Sequence, residues 1–148
     1  MKVKSLFDPA VKQDIINRIN KLTPATKALW GTMNVEQMLA HLQLPVSLAY
    51  GKHTLKGSFI LKLIGPLFKS VLYNDKPYKH GLPTDKSYII TESKNFEQER
   101  DKLIKLLDQF TEANISDDKH VVFGKLTKEQ WSKATWKHLD HHLQQFGV

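Results

Sequence analysis

The sequence predicts an all-α protein, a four-helix bundle with its helices in up-down-down-up order. Four stretches repeat apolar residues at helical spacing, and each opens on a residue type that caps helix N-termini. Short links join the first stretch to the second and the third to the fourth, which makes each pair antiparallel. The second and third are separated by a crossover at about 51–94, long enough to run the length of a bundle and to hold a short extra helix. At 148 residues the chain reads as one domain, 1–148, large enough to bury a proper core.

The first helix starts with Asp8 as N-cap and Pro9 at the first helical position. Val11, Ile15, Ile16, Ile19 and Leu22 then form one apolar face, and Thr23-Pro24 ends it. The second helix opens at Asn34, with Gln37 three residues on in capping-box position. Val35, Met38, Leu39, Leu42, Val46 and Ala49 give its apolar side, and Gly51 is the expected stop. Pro45 lacks the N–H that would bond the His41 carbonyl, so a kink is expected there. Taken alone, His41 reads as a partly exposed polar residue at the margin of this face.

Within the crossover, Ser58 to Leu72 is nearly all apolar and is interrupted by Gly65-Pro66. It reads as a short, broken helix packed on the bundle; a membrane-surface helix is the lesser reading, because its charged face is weak. Turn residues follow, then a short extended piece at Tyr88-Ile89-Ile90-Thr91. Seven lysines from Lys52 to Lys86 stand against Asp75 and Asp85. Lys52, Lys56 and Lys76 are therefore candidates to hold an anion, weighed against a solvated lysine-rich loop.

The third helix begins near Asn95, with Gln98 in capping-box position, and Phe96, Leu103, Ile104, Leu107 and Phe110 as its stripe. A polar loop, Glu112 to Leu126, contains His120 and Gly124. Thr127, with Gln130 at the third position, caps the last helix, which runs to Phe146.

Composition narrows the function. There is no cysteine, so disulfides, thiolate zinc sites and cysteine nucleophiles are excluded, and a reducing cytoplasm is the expected location. The N-terminal residues show no apolar signal core, and no run reaches the roughly 20 apolar residues of a membrane span. The net charge of +7 rests on lysine, with Arg18 and Arg100 the only arginines. Base reading and phosphate clamping favour arginine, so nucleic acid is not an expected partner. A small-molecule substrate is, and a homodimer is compatible with the sequence.

Three histidines fall within five residues of the last helix: His138, His141 and His142. Residues three or four apart share a helix face, so His138 can pair with either His142 or His141. Leu139 and Phe146 set the apolar side nearer His142, at about +40° from His138, than His141, at about −60°. Imidazoles on a core face need partners, and a divalent metal is one; histidines hydrogen-bonded among themselves are the other. The second and fourth helices of such a bundle can bring His41 to His138 and His142. Gln37 and Gln145 lie within about 40° of the ligand directions and are candidates to hold the ligands in place by hydrogen bonds. Glu36 and Asp140 project away, so no carboxylate base is indicated. Zinc-protease chemistry of the HExxH type fails on Leu139, and the Glu-x-x-His pairs of di-iron bundles are absent from the core faces.

Trp30-Gly31-Thr32-Met33-Asn34-Val35-Glu36-Gln37-Met38-Leu39-Ala40-His41-Leu42 resembles the second-helix signature of the DinB/YfiT-like superfamily. His138-Leu139-Asp140-His141-His142-Leu143-Gln144-Gln145 resembles its last-helix motif, His-x-x-His-His-x-x-Gln. Leu72 to Pro77, Gly81 to Asp85, Phe123 to Thr127 and Gln145 to Val148 are similar to an uncharacterised, DUF1569-like bacterial branch, over essentially the whole chain. The resemblance implies a bundle holding one divalent ion, zinc or nickel foremost, on three histidines. By position these are His41, His138 and His142. It also implies transferase or isomerase chemistry with low-molecular-weight thiols. Leu143 stands where the superfamily often has arginine, so substrate handling by that arginine does not carry over.

The expected function is a divalent-metal-dependent enzyme, a transferase or hydrolase acting with a small thiol or an activated water. The alternative is a non-catalytic bundle protein that binds a metal or a small anion.

Overall fold

The computed structural model describes residues 1–53, 59–82 and 86–148, with the side chains of 59–62 left aside. Among these residues the protein is all-α. Five α-helices run in order: α1 Pro9–Ile19, α2 Val35–Ala49, α3 Phe59–Phe68, α4 Phe96–Asp108 and α5 Lys128–Gln145. The described residues contain no strand, only an isolated antiparallel bridge between His120 and Gly124.

Each long helix begins where its capping residue stands. Asp8 accepts from the Ala10 N–H at 2.8 Å, and Asn95 from the Gln98 N–H at 3.0 Å. Asn34 with Gln37, and Thr127 with Gln130, form full capping boxes that satisfy donors at both ends of the exchange.

The stripes meet as the periodicity requires. α2 packs on α4 and α5, and α1 packs on the same two helices. Ile15 and Ile19, Leu39 and Leu42, Leu103 and Leu107, and Leu139 and Leu143 are fully buried between them. Each such side chain contributes roughly 1.5–3 kcal/mol relative to exposure. Arg18 reaches from α1 to α5 and pairs with Asp140 at 2.8 Å, with little of either side chain exposed.

The crossover departs from expectation in two places. α3 runs through Gly65-Pro66 without a break and continues as a 3-10 turn, Lys69–Leu72. The close contact there is with the loop after α4, since a Cβ on Gly65 would collide with the Val122 carbonyl oxygen. Yet Leu63, Leu67 and Phe68 are 71%, 80% and 58% exposed, so these apolar side chains of α3 are not buried on the bundle as expected. The piece at 88–91 belongs to no strand. It follows a 3-10 turn, Lys86–Tyr88, and the Tyr88 carbonyl bonds the His41 ring.

One side chain fastens the crossover to α5. Lys137 is 1% exposed, and its Nζ donates to the carbonyls of Val71 (2.7 Å) and Asn74 (3.0 Å) and to Asn74 Oδ1 (3.0 Å). Burial lowers its pKa to about 8. Among the described residues no helix is long and apolar enough to cross a membrane.

Candidate metal centre

α2 carries His41 to the face of α5 that presents His138 and His142. One ring nitrogen from each of the three lies within 4.8 Å of the others, and the ring centroids are 4.7 to 5.0 Å apart. His41 and His138 approach closest, Nε2 to Nε2 at 2.9 Å. His41 is 3% exposed, not the half-solvated edge residue its sequence position suggests, because the Tyr88 segment covers it.

Two contacts fix which nitrogens face inward. A backbone carbonyl only accepts, so His41 carries its proton on Nδ1 and donates to the Tyr88 oxygen at 2.8 Å. Gln145 Nε2 donates to the Trp30 carbonyl at 2.6 Å, which turns Oε1 toward His142 Nδ1, 2.7 Å away. His142 therefore holds its proton on Nδ1 as well. Both Nε2 atoms carry lone pairs aimed at the centre. Either His138 Nε2–H donates to the lone pair of His41, or the lone pairs share a cation.

The donor set fits a divalent ion. Imidazole binds zinc or nickel, and ligating histidines usually give their other N–H to a carbonyl or amide oxygen, as His41 and His142 do here. Two nitrogens at about 2.1 Å from one ion stand no more than about 4.2 Å apart, so a small ring rotation brings the widest pair into reach.

The electrostatics keep the imidazoles neutral, the form that ligates. Burial holds His138 well below the ordinary histidine value, with repulsion from His142 and His41 adding to it. Burial lowers His142 to about 3 and lowers His41 also, in each case against a raising hydrogen bond.

His141 points elsewhere. Its ring sits edge-on to Tyr78 at 5.6 Å and tilts toward Trp30 at 5.9 Å, and it is not part of the three-nitrogen group. The centre opens into a cavity of about 800 Å³, within the ordinary size of a ligand site. All four histidines line it, as do Trp30, Tyr78 and Tyr88. Trp30 is steadied from behind by His80, stacked at 3.9 Å.

The remaining candidates are dispersed. Gln145 bonds His142, but the Gln37 amide oxygen accepts from the Asn34 N–H at 3.1 Å in the capping box; Gln37 lines the cavity without bonding a histidine. Lys52 is exposed, its Nζ 5.5 Å over the Tyr50 ring, and Lys76 is exposed beside the Asn74 turn; neither lines the cavity. Lys56 lies outside the described residues. Sequence reasoning missed Tyr88 and Lys137. Neither had a local signal, since a carbonyl acceptor can come from any residue and a lysine one place before His138 reads as solvent-facing.

Neither a curated protein nor a solved structure matches the chain. A family described as a protein of unknown function (DUF1569) matches residues 10–147. The chain belongs to that family.

Proposed function

We propose that the protein is a divalent-metal-dependent enzyme of the DinB/YfiT-like kind, a transferase or hydrolase, with His41, His138 and His142 as the ligands. The observation that carries this reading is the inward turn of the His41 and His142 Nε2 atoms, each forced by an acceptor on the opposite ring nitrogen. A packed, purely structural histidine cluster has no need of an 800 Å³ cavity above it. The packing of α1 and α2 on both α4 and α5 supports an up-down-down-up four-helix bundle as one domain.

A zinc or nickel ion at this centre would lower the pKa of a bound water or thiol, or polarise a carbonyl. The chain's own residues do the rest. Tyr88 and Gln145 hold the ligand rings in orientation, and the crossover, fastened by Lys137, lines one side of the cavity. No carboxylate is among the described residues that line it, so His141 is the side chain placed to take up a proton from a bound molecule. A thiol that ionises at the metal would need no other base.

Elemental analysis of the untagged protein tests the reading, followed by cobalt(II) substitution. A stoichiometric metal, and a visible cobalt spectrum that His41→Ala abolishes, are expected. Metal-free protein that takes up no cobalt would leave only a hydrogen-bonded histidine cluster.

A further inference from the structure

The wall of the cavity says which molecules can reach the centre. Trp30, Tyr78 and Phe123 present ring surface, and Val71, Leu82 and Ile89 present aliphatic surface. No aspartate, glutamate, lysine or arginine is among the described residues that line it. Two charges that α5 carries beside its histidines are already engaged. The Lys137 ammonium is held by two carbonyls and Asn74 and lies 4.4 Å over the Tyr78 ring, and Asp140 is paired with Arg18. The rim is apolar as well: Val71, Leu82 and Ile89 are 44%, 49% and 56% exposed.

We propose that the substrate of this centre is an uncharged molecule with an apolar, aromatic-sized body and a single metal-seeking donor atom, and not an anionic thiol. The proposal rests on the metal reading above and deepens it. A carboxylate carried on the body of the molecule, away from the donor atom on the ion, would lose hydration at the wall and find no lysine or arginine among the described lining residues in return. An aryl body gains instead, by removing ring and aliphatic surface from water and by offset or edge contacts with Trp30 and Tyr78. The lysines of the crossover, Lys52 and Lys76, stand outside the cavity and have no part in selecting the ligand.

The test compares benzyl mercaptan with 4-(mercaptomethyl)benzoate, the same shape with one added carboxylate. Affinities are read from the thiolate-to-cobalt band of the cobalt-loaded full chain and, separately, from quenching of Trp30 fluorescence in metal-free protein. Trp30→Phe subtracts the buried Trp131 and Trp136. The neutral thiol is expected to bind at least tenfold more tightly by both readouts, and Ile89→Lys at the rim is expected to narrow or reverse the ratio. Equal or tighter binding of the carboxylate probe overturns the proposal. If cobalt does not bind, the metal reading fails, while the quenching still decides the substrate class: a tenfold neutral preference supports it, and none overturns it.

Discussion

Gln145 Oε1 accepts a hydrogen bond from His142 Nδ1 at 2.7 Å, and the other end of the same amide donates to the Trp30 carbonyl at 2.6 Å. One side chain thus fixes the tautomer of a candidate ligand and the position of an aromatic wall. Gly31 makes room for it: a Cβ there would lie 2.5 Å from Gln145 Nε2, and the backbone φ of +82° also favours glycine. Gln145→Ala is expected to weaken metal binding by about 10- to 100-fold with the fold retained, which competition with a chelator measures. Gln37→Ala should instead cost about 0.5–1.5 kcal/mol of stability through the lost reciprocal bond to the Asn34 N–H and leave metal affinity unchanged.

Ligand choice separates neighbouring residues. His41→Ala, His138→Ala and His142→Ala are each expected to lose stoichiometric metal, and His141→Ala to keep it, because its ring faces Tyr78 and Trp30. Metal content of the four variants decides the matter. A metal-free His141→Ala beside a loaded His142→Ala would reverse the assignment.

The metal-free protein should lose stability with acid. His120, buried against Trp131, is lowered to about 4, His142 to about 3, and His41 and His138 are lowered too. Above about pH 6.5 the folded and unfolded chains are both neutral at these positions. Below it the unfolded chain takes up protons that the folded chain refuses, so stability falls as pH drops from about 6.5 toward 4 and then 3. The slope is about 1.4 kcal/mol per pH unit for each histidine kept neutral. Urea titrations at pH 7 and 5 measure it, and a flat profile would contradict the burial of these rings.

Bound zinc or nickel should raise the melting temperature with the logarithm of its excess. The gain should persist through most of that acid window and shrink only where the folded rings themselves protonate, toward about pH 3 for His142, because the ion competes with protons for the folded site. Melting curves with and without chelator at pH 7.5 and 5.5 provide the comparison. Identical curves at the higher pH would mean that no site is formed.

The Arg18–Asp140 pair makes a separable prediction. Asp140 sits between His138 and His142 in sequence yet faces α1, away from the metal centre. Asp140→Asn should lower stability by about 2–4 kcal/mol, since it leaves the poorly exposed guanidinium without its counter-charge. Metal stoichiometry should not change.

Where sequence reasoning failed, the cause was distance along the chain. The apolar run at 58–72 has the composition of a buried helix, but burial needs a partner face, and among the described side chains only the end of the run, at Leu72, packs against the core. Leu63, Leu67 and Phe68 are left outside. The short extended piece read around Ile89 pairs with no strand among the described residues, and the Tyr88 carbonyl bonds a histidine, which no local signal foretold. The lysine count of the crossover gave its charge and not its geometry, and the exposed Lys52 and Lys76 do not reach the cavity.

The sequence by itself determined what lies within a helix's own reach. Asp8, Asn34, Asn95 and Thr127 set four helix starts, because a cap acts on donors two or three residues away. The spacing of His138 and His142 put two imidazoles on one face, because four residues complete about one turn. Only the tertiary structure decided what those imidazoles meet. His41 lies 97 positions from His138 and 47 from Tyr88, and Gln145 lies 115 from Trp30. Contacts at such separations arise only when the helix faces pack and exclude water, and it is that packing which turns the histidines toward a common centre.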